Sequence, residues 1–418
     1  MTNYIILALC IIVVLAYIFD ISGKYSRIPS VILLIFMGIV LQLVLRHLPI
    51  SIPNLQPVLP VIGTIGLILI VLEASLDLKL EKSKKGIILK SITAAFFLFL
   101  LFTAILTFML TKFFGYSFRD SVLNAMPLGI ISSAVAIPAA SLLKPSEKEF
   151  VVYESSFSDI FGIIFFDFIL LGDGPIGDSI MALGFKSLIT IVLGVVTTLI
   201  LAALLHKISY HVNYVLIITS IVLIYTLAKM LVLPALLLVM IFGLTLSNNH
   251  LLERDFLKKY VNFEKFRTDI KSFKTILIEL TFLVRSLFFI IFGFYVKVEG
   301  LLQWDNLLIA SAITLGIFLL RYLFFKFILR MNPVPLVYFG PRGLITILLF
   351  ISIPQVSRIP FLNEEVITIV ILMTIILMTV GNMVSRGEKP EALLITEDEK
   401  PDPQFIPTDE KPEERLSE

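Results

Sequence analysis

The chain contains one cysteine, Cys10, set in an apolar run, so it has no internal disulfide framework. Charge is also scarce: 16% of residues are Asp, Glu, Lys or Arg, against about a quarter in soluble domains. The formal net charge is only +2 and no segment forms a basic face that could track phosphates, which argues against nucleic acid as a partner. The four histidines (His47, His206, His211 and His250) fall between apolar runs with no cysteine beside them, so no zinc site and no cofactor are expected. What is plentiful is apolar: 58% of the chain is hydrophobic. Such a surplus cannot hide in one soluble core, because a soluble surface must be covered by polar groups. A bilayer supplies the missing apolar solvent. The expected fold class is therefore an all-α polytopic membrane protein.

A crossing helix needs about 20 apolar residues. Runs of that kind lie near residues 3–20, 29–46, 58–80, 87–111, 121–143, 150–171, 182–205, 213–231, 233–248, 275–297, 305–329, 334–354 and 365–385, giving thirteen expected spans. The stretch from Met1 to Asp20 lacks a basic leader and a small-residue cleavage site, so it reads as the first span rather than a signal peptide. Basic residues then sort by side. With the N-terminus outside, the cytoplasmic loops hold Lys24, Arg27, the cluster from Lys79 to Lys90, Lys144, Lys148, Lys207, the Arg254–Lys274 segment, Lys326 and Arg330. The opposite loops carry only Arg46, Lys112, Arg119, Lys229, Lys297, Arg358 and an acidic turn at 172–178. The same rule puts the C-terminus inside, and the expected location is the cell (inner) membrane, as a multi-pass protein.

Between Asn249 and Lys274 charge alternates with Phe, Leu and Tyr, the pattern of an amphipathic interfacial helix. Residues 1–386 form the expected transmembrane domain. Residues 387–418 are polar, acidic and proline-rich, which predicts a disordered cytoplasmic tail. Span three ends in Leu72-Glu-Ala-Ser-Leu-Asp-Leu-Lys79 and span ten in Phe289-Ile-Ile-Phe-Gly-Phe-Tyr-Val-Lys297, a weak echo between halves of opposite orientation. Inverted repeats of six spans produce that arrangement.

A charge at the centre of a span costs about 2.5–3.5 kcal/mol on insertion scales, so each needs a reason. The interior set is Glu73, Glu154, Asp159, Asp167, Arg285, Arg321 and Arg342. Span six carries Tyr153-Glu-Ser-Ser-Phe-Ser-Asp-Ile160, in which Glu154 stacks on Ser158 and Ser155 on Asp159 by the four-residue rule. Hard monovalent cations want oxygen ligands, and Asp159 can hold either a proton or a metal cation. A helix-packing polar seam is the bland alternative for the serines. Arg321, deep in span eleven, needs a carboxylate, with Glu154 or Asp167 as partner, or else snorkels to the interface. Two prolines flank Ser132 and Ser133 in span five (Pro127 and Pro138), and span twelve opens with Pro333-Val-Pro-Leu-Val-Tyr-Phe-Gly-Pro-Arg-Gly343. Proline removes a backbone donor, so both are expected to be discontinuous crossing helices. Intramembrane aspartyl proteolysis fits poorly, because Asp159 and Asp167 share one helix.

These residues resemble the monovalent cation:proton antiporters, specifically the sodium/proton exchanger branch. Glu154-x-x-x-Ser158-Asp159 resembles that family's Glu-x-x-x-Asn-Asp element, Ser132-Ser-Ala-Val135 its Thr-Asp-Pro-Val break, Leu72-Glu-Ala-Ser-Leu its Phe-Glu-Gly-Gly-Leu, and Phe339-Gly-Pro-Arg-Gly-Leu its Gly-x-Arg-Gly segment. The resemblance covers about Met1 to Ser385. It implies that Asp159 binds ion and proton, that Ser155, Glu73, Ser132, Ser133 and Ser158 surround the ion, and that Asp159, Ser155 and Glu73 ligate Na⁺. It further implies a structural ion pair between Glu154 and Arg321. A core of spans 4–6 and 11–13 would move against interface spans 1–3 and 8–10, in a homodimer. Ser158 stands where the family has Asn, a neutral side chain, so one proton is expected per cation. Ser133 and Ala134 replace the Asp-Pro pair, which leaves Na⁺, Li⁺ and K⁺ all open as substrates.

Two other functions fit the composition. One is a passive channel or a transport-dead sensor using the tail. The other is a Na⁺-coupled organic-anion symporter on a related scaffold, with Arg321 free to bind the anion.

Overall fold

The computed structural model describes residues 2–26, 29–46, 58–78, 84–171, 176–207, 213–231, 233–248 and 263–384. The proposed tail at 387–418, the acidic turn at 172–175 and residues 249–262 of the expected interfacial helix lie outside the described residues. Among the described residues there is no β-strand. The principal helices are α1 Thr2–Ser26, α2 Ser30–Arg46, α3 Val58–Asp77, α4 Lys85–Phe114, α5 Phe118–Gly129, α6 Ser133–Ala139 and α7 Pro145–Leu171. They continue with α8 Ile176–Lys207, α9 Asn213–Met230, α10 Ala235–Ser247, α11 Phe263–Tyr295, α12 Val298–Leu301, α13 Trp304–Leu323, α14 Leu344–Ser352 and α15 Glu364–Val384. Each predicted apolar run contains helix. Six described segments are long and apolar enough to cross a membrane by length and composition alone, so the architecture is that of a polytopic membrane protein.

One boundary differs from expectation. Residues 263–274 do not form a separate interfacial helix; they are the opening turns of the 33-residue α11. No glycine or proline falls between Phe263 and Phe292 to stop it, and a helix with no breaker continues.

Elsewhere the helices bury what the pattern says they should. In α4 the inner stripe is Ser91, Ala94, Ala95, Leu98, Phe102 and Leu110, while Leu89, Phe97, Leu101, Ile105 and Phe108 stay exposed. An apolar side chain on the outside of a membrane helix meets lipid tails, so it carries no aggregation cost. The helix ends at Gly115, whose φ of 73° is left-handed and lets its N–H reach the Leu110 carbonyl. Ser117 then caps α5 by accepting from the Asp120 N–H at 3.1 Å.

The helices pack in two sets. α11 lies along α2 and α3, and α10 along α3 and α8; α4 lies along α5 and α7, α6 along α7, and α13 along α15. Contacts between the sets run through α3 with α14 and α7, and through α10 with α7.

Two helices are interrupted. α5 stops at Gly129 and α6 starts at Ser133, with Ile130 (φ −84°, ψ 134°) and Ser132 (φ −78°, ψ 110°) extended between them. Glycine and then two β-branched residues make this the weakest helical stretch of the segment. In the second half, a short tight turn at Leu336–Tyr338 unwinds through Gly343 before α14 begins. The two interruptions touch: the Ser132 N–H donates to the Pro341 carbonyl at 2.9 Å. Gly343 permits this approach, because a Cβ there would lie 2.6 Å from Ser132 Oγ and 3.0 Å from Ser132 Cβ. Gly343→Ala must therefore part the two breaks. Overpacking of this kind costs about 1–3 kcal/mol, and a lower melting temperature of the purified variant in detergent is expected by differential scanning fluorimetry; an unchanged one would show that the contact yields freely.

Candidate functional site

Hydrocarbon offers no partner to a backbone N–H or C=O, so every group freed by the two interruptions must be met by protein. The side chains that meet them are the polar residues singled out from the sequence. In the first break the Ile131 N–H donates to Ser158 Oγ at 2.9 Å, and the Ser133 N–H lies 3.4 Å from Asp159 Oδ2. The Ser133 hydroxyl donates to the same oxygen, Asp159 Oδ2. At the end of α5 the Leu128 carbonyl accepts from Arg342 Nε at 2.6 Å, placing a cation against the negative end of that half-helix.

In the second break the acceptors are satisfied by two arginines. Arg321 Nε donates to the Val337 carbonyl at 3.2 Å, and Nη2 to those of Leu336 (2.9 Å) and Phe339 (3.1 Å). Arg342 Nη1 donates to the Gly340 carbonyl at 2.9 Å, and its own N–H to Thr374 Oγ1 on α15 at 3.0 Å. Gly340 is needed for this, since a Cβ there would stand 2.9 Å from Arg321 Cδ. Arg321 also grips Glu154 with both prongs, Nη1–Oε1 at 2.8 Å and Nη2–Oε2 at 3.1 Å, while Phe325 lies 5.0 Å below its guanidinium carbon. Both partners are buried. A paired fork backed by further bonds from Nε and Nη2 to carbonyls is what makes a buried ion pair tolerable.

The span-six residues divide by face. Each residue turns a helix by about 100°. Glu154 and Ser158 look toward the arginines, and Ser158 shares a small cavity of about 10 Å³ with Arg321 and Arg342. Asp159 and Ser156 line a different cavity, of about 20 Å³, against α3 and α10. Ser155 donates to its own helix, to the Val151 carbonyl at 2.7 Å. Glu73 is half-buried on α3 and lines a third cavity, of about 50 Å³, with Ser133, Ala134, Pro138 and Arg285. Arg285 Nη1 reaches the Ala134 carbonyl at 3.4 Å. Asp167 sits two turns beyond Asp159 on α7, within electrostatic range of Lys229 and Tyr225 on α9. Ser133 thus links Asp159, by a hydrogen bond, to the cavity that Glu73 lines; Asp167 lies apart. Ser132 Oγ and Asp159 Oδ1 are buried with no hydrogen-bond partner among the described residues.

Three participants were not singled out by sequence reasoning. Thr374 is an ordinary threonine in an apolar run. The carbonyls at 336–339 carry no side-chain signal. Ser156 did have one, since it lies three residues before Asp159 on a helix, but the four-residue pairing of Ser155 drew attention instead. No group of three or more His, Cys, Asp or Glu is placed to hold a metal ion among the described residues. The donor set is instead the Asp159 carboxylate with the hydroxyls of Ser133 and Ser156 beside it, all hard-oxygen groups.

Comparison with known proteins bears on the fold. The model of the transmembrane sodium/hydrogen exchanger family matches residues 10–386. No curated protein matches the chain. Among solved structures, the fold is similar to that of MjNhaP1, a sodium proton antiporter from Methanocaldococcus jannaschii, at pH 8. The TM-score is 0.69 and the identity 20%, covering 93% of this chain and 100% of that one. An electron-microscopy structure of the same antiporter gives a TM-score of 0.67 at 20% identity, covering 93% and 99% of the respective chains.

The arrangement orders two substitutions. Arg321→Ala strands Glu154 and three carbonyls, and breaking a buried pair costs about 3–5 kcal/mol. Glu154→Gln leaves Arg321 a hydrogen-bond acceptor and its carbonyls intact. Thermal unfolding of the purified variants should rank Arg321→Ala as clearly the less stable; equal losses would mean that the carbonyls do not depend on Arg321.

Proposed function

The chain belongs to the sodium/hydrogen exchanger family, and from that premise we propose that it is a secondary active antiporter exchanging a monovalent cation, Na⁺ first with Li⁺ and K⁺ as alternatives, for H⁺ by competition at Asp159. One observation carries this reading. Asp159 is 3% exposed, is held at the helix break by Ser133 through Oδ2, and keeps Oδ1 without a partner among the described residues. A buried carboxylate in that condition needs either a proton or a cation. Each load binds the same oxygen and excludes the other.

Charge accounting supports a one-for-one exchange. Glu154 is matched by Arg321, and Ser158 beside Asp159 is neutral, so Asp159 alone changes its load. Swapping one H⁺ for one cation then moves no net charge. In this reading Ser132, Ser133, Ser155 and Glu73 lie round the ion site, Ser158 holds the helix break from the opposite face, and Arg285 stands with Glu73 at the mouth. Helices α4–α7 and α13–α15 are the moving core, and α1–α3 and α9–α11 the interface of a homodimer. The separate packing of α11 with α2 and α3, and of α4 with α5 and α7, supports that division. The protein sits in the cell (inner) membrane with thirteen spans, its N-terminus outside and its tail in the cytoplasm.

Organic-anion symport loses its main attraction here, because Arg321 commits its donors to Glu154 and to backbone carbonyls. In proteoliposomes with a trapped pH dye, Na⁺ pulses should dissipate the gradient in wild type and not in Asp159→Asn, with the wild-type rate unaffected by valinomycin and K⁺. Exchange that survives Asp159→Asn would refute the role of Asp159. A rate that valinomycin changes would refute one-for-one exchange.

A further inference from the structure

The unpartnered side of Asp159 faces a hydroxyl that the ligand set above does not include. Its Oδ1 is unpartnered among the described residues, and so is Ser156 Oγ one turn earlier on α7. Ser156 is 3% exposed. Residues three apart share a helix face, and both line the cavity of about 20 Å³ between α7, α3 and α10. That is room for one water-sized occupant. The remaining wall is apolar except for Ser75 of α3, whose hydroxyl proton goes to the Val71 carbonyl, leaving lone pairs on its oxygen. Ser155 is not on this cavity.

A buried hydroxyl with no partner is unfavourable, and a native structure that keeps one has a use for it. We propose that Ser156 is a direct ligand of the transported ion, so that a small dehydrated monovalent cation sits between Asp159 Oδ1 and Ser156 Oγ, with Ser75 as the oxygen contributed from α3. The assignment rests on the exchange reading and deepens it. With the cation bound, the Ser156 proton turns to the carbonyl four residues back, as Ser155 does with Val151, and its lone pairs face the charge. With the proton bound instead, Asp159 is neutral and the cavity has room for one water between its carboxyl and Ser156 Oγ. Asp159 thus takes either load, and only a cation small enough for a single-water cavity fits without displacing the wall.

The test uses the purified full chain in proteoliposomes, with initial exchange rates measured against Na⁺ and Li⁺ concentration at fixed pH. Ser156→Ala should raise the apparent KM for both ions by about fivefold, the worth of one hydrogen-bond-strength ligand, with a larger effect on KM than on kcat. Ser156→Thr, which keeps the hydroxyl, should restore KM toward wild type. Ser156→Gly removes the hydroxyl without added bulk and serves if the alanine variant misfolds. Titration calorimetry of the purified variants with LiCl reads binding apart from turnover and should show the same weakening. A wild-type KM and wild-type Li⁺ affinity in Ser156→Ala would overturn the assignment while leaving exchange at Asp159 standing. Absence of exchange in wild type would overturn both.

Discussion

A helix that stops inside a bilayer exposes backbone donors and acceptors where no water can reach them, and the rest of this structure follows from satisfying them. The two interruptions, at 130–132 and 336–343, solve part of the problem against each other through Ser132 and Pro341. The remainder falls to Ser158 and Asp159 on one side and to Arg321 and Arg342 on the other. Glu154 then balances Arg321. Arg321, Arg342 and Glu154 are therefore structural in origin: they stabilise unwound backbone that could not otherwise exist at this depth.

That constraint bears on chemistry through Asp159. Its Oδ2 holds the break by way of Ser133, so its position is fixed, while Oδ1 is left over. A carboxylate that is geometrically held but only half satisfied is a natural place for an exchangeable ligand, because loading it need not disturb the scaffold. Arg342 occupies the end of α5, so the nearby cation is already engaged with backbone and does not neutralise Asp159 by direct pairing. The cavities along Asp159 and Glu73 lie between the two packing sets of helices, where relative movement of the sets would change their access.

Much of this was legible in the sequence. Hydropathy placed the helical segments, because lipid contact demands apolar residues at every outward position, as in α4. Proline and glycine marked both interruptions, since each weakens the same hydrogen-bond ladder. Charges inside apolar runs flagged Arg321, Glu154 and Asp159. Legibility failed where the partner is backbone or the choice is rotational. The carbonyls of Leu336, Val337 and Phe339 have no sequence signature. The separation of Glu154 and Ser158 from Asp159 and Ser156 depends on how α7 is rotated against its neighbours, which packing decides. The end of the expected interfacial helix ran into α11 because hydropathy marks where the apolar part starts, not where the helix does.

Competition between ion and proton for one carboxylate has a kinetic signature that no structural role can imitate. The apparent KM for Na⁺ in proteoliposomes, measured across a series of pH values on the Na⁺-binding side, tests it most directly. KM should rise as pH falls, approaching about tenfold per pH unit in the limit of one proton against one ion, while the rate at saturating Na⁺ stays level. A KM that holds constant while the saturating rate falls would place the proton somewhere other than the ion site and contradict the account.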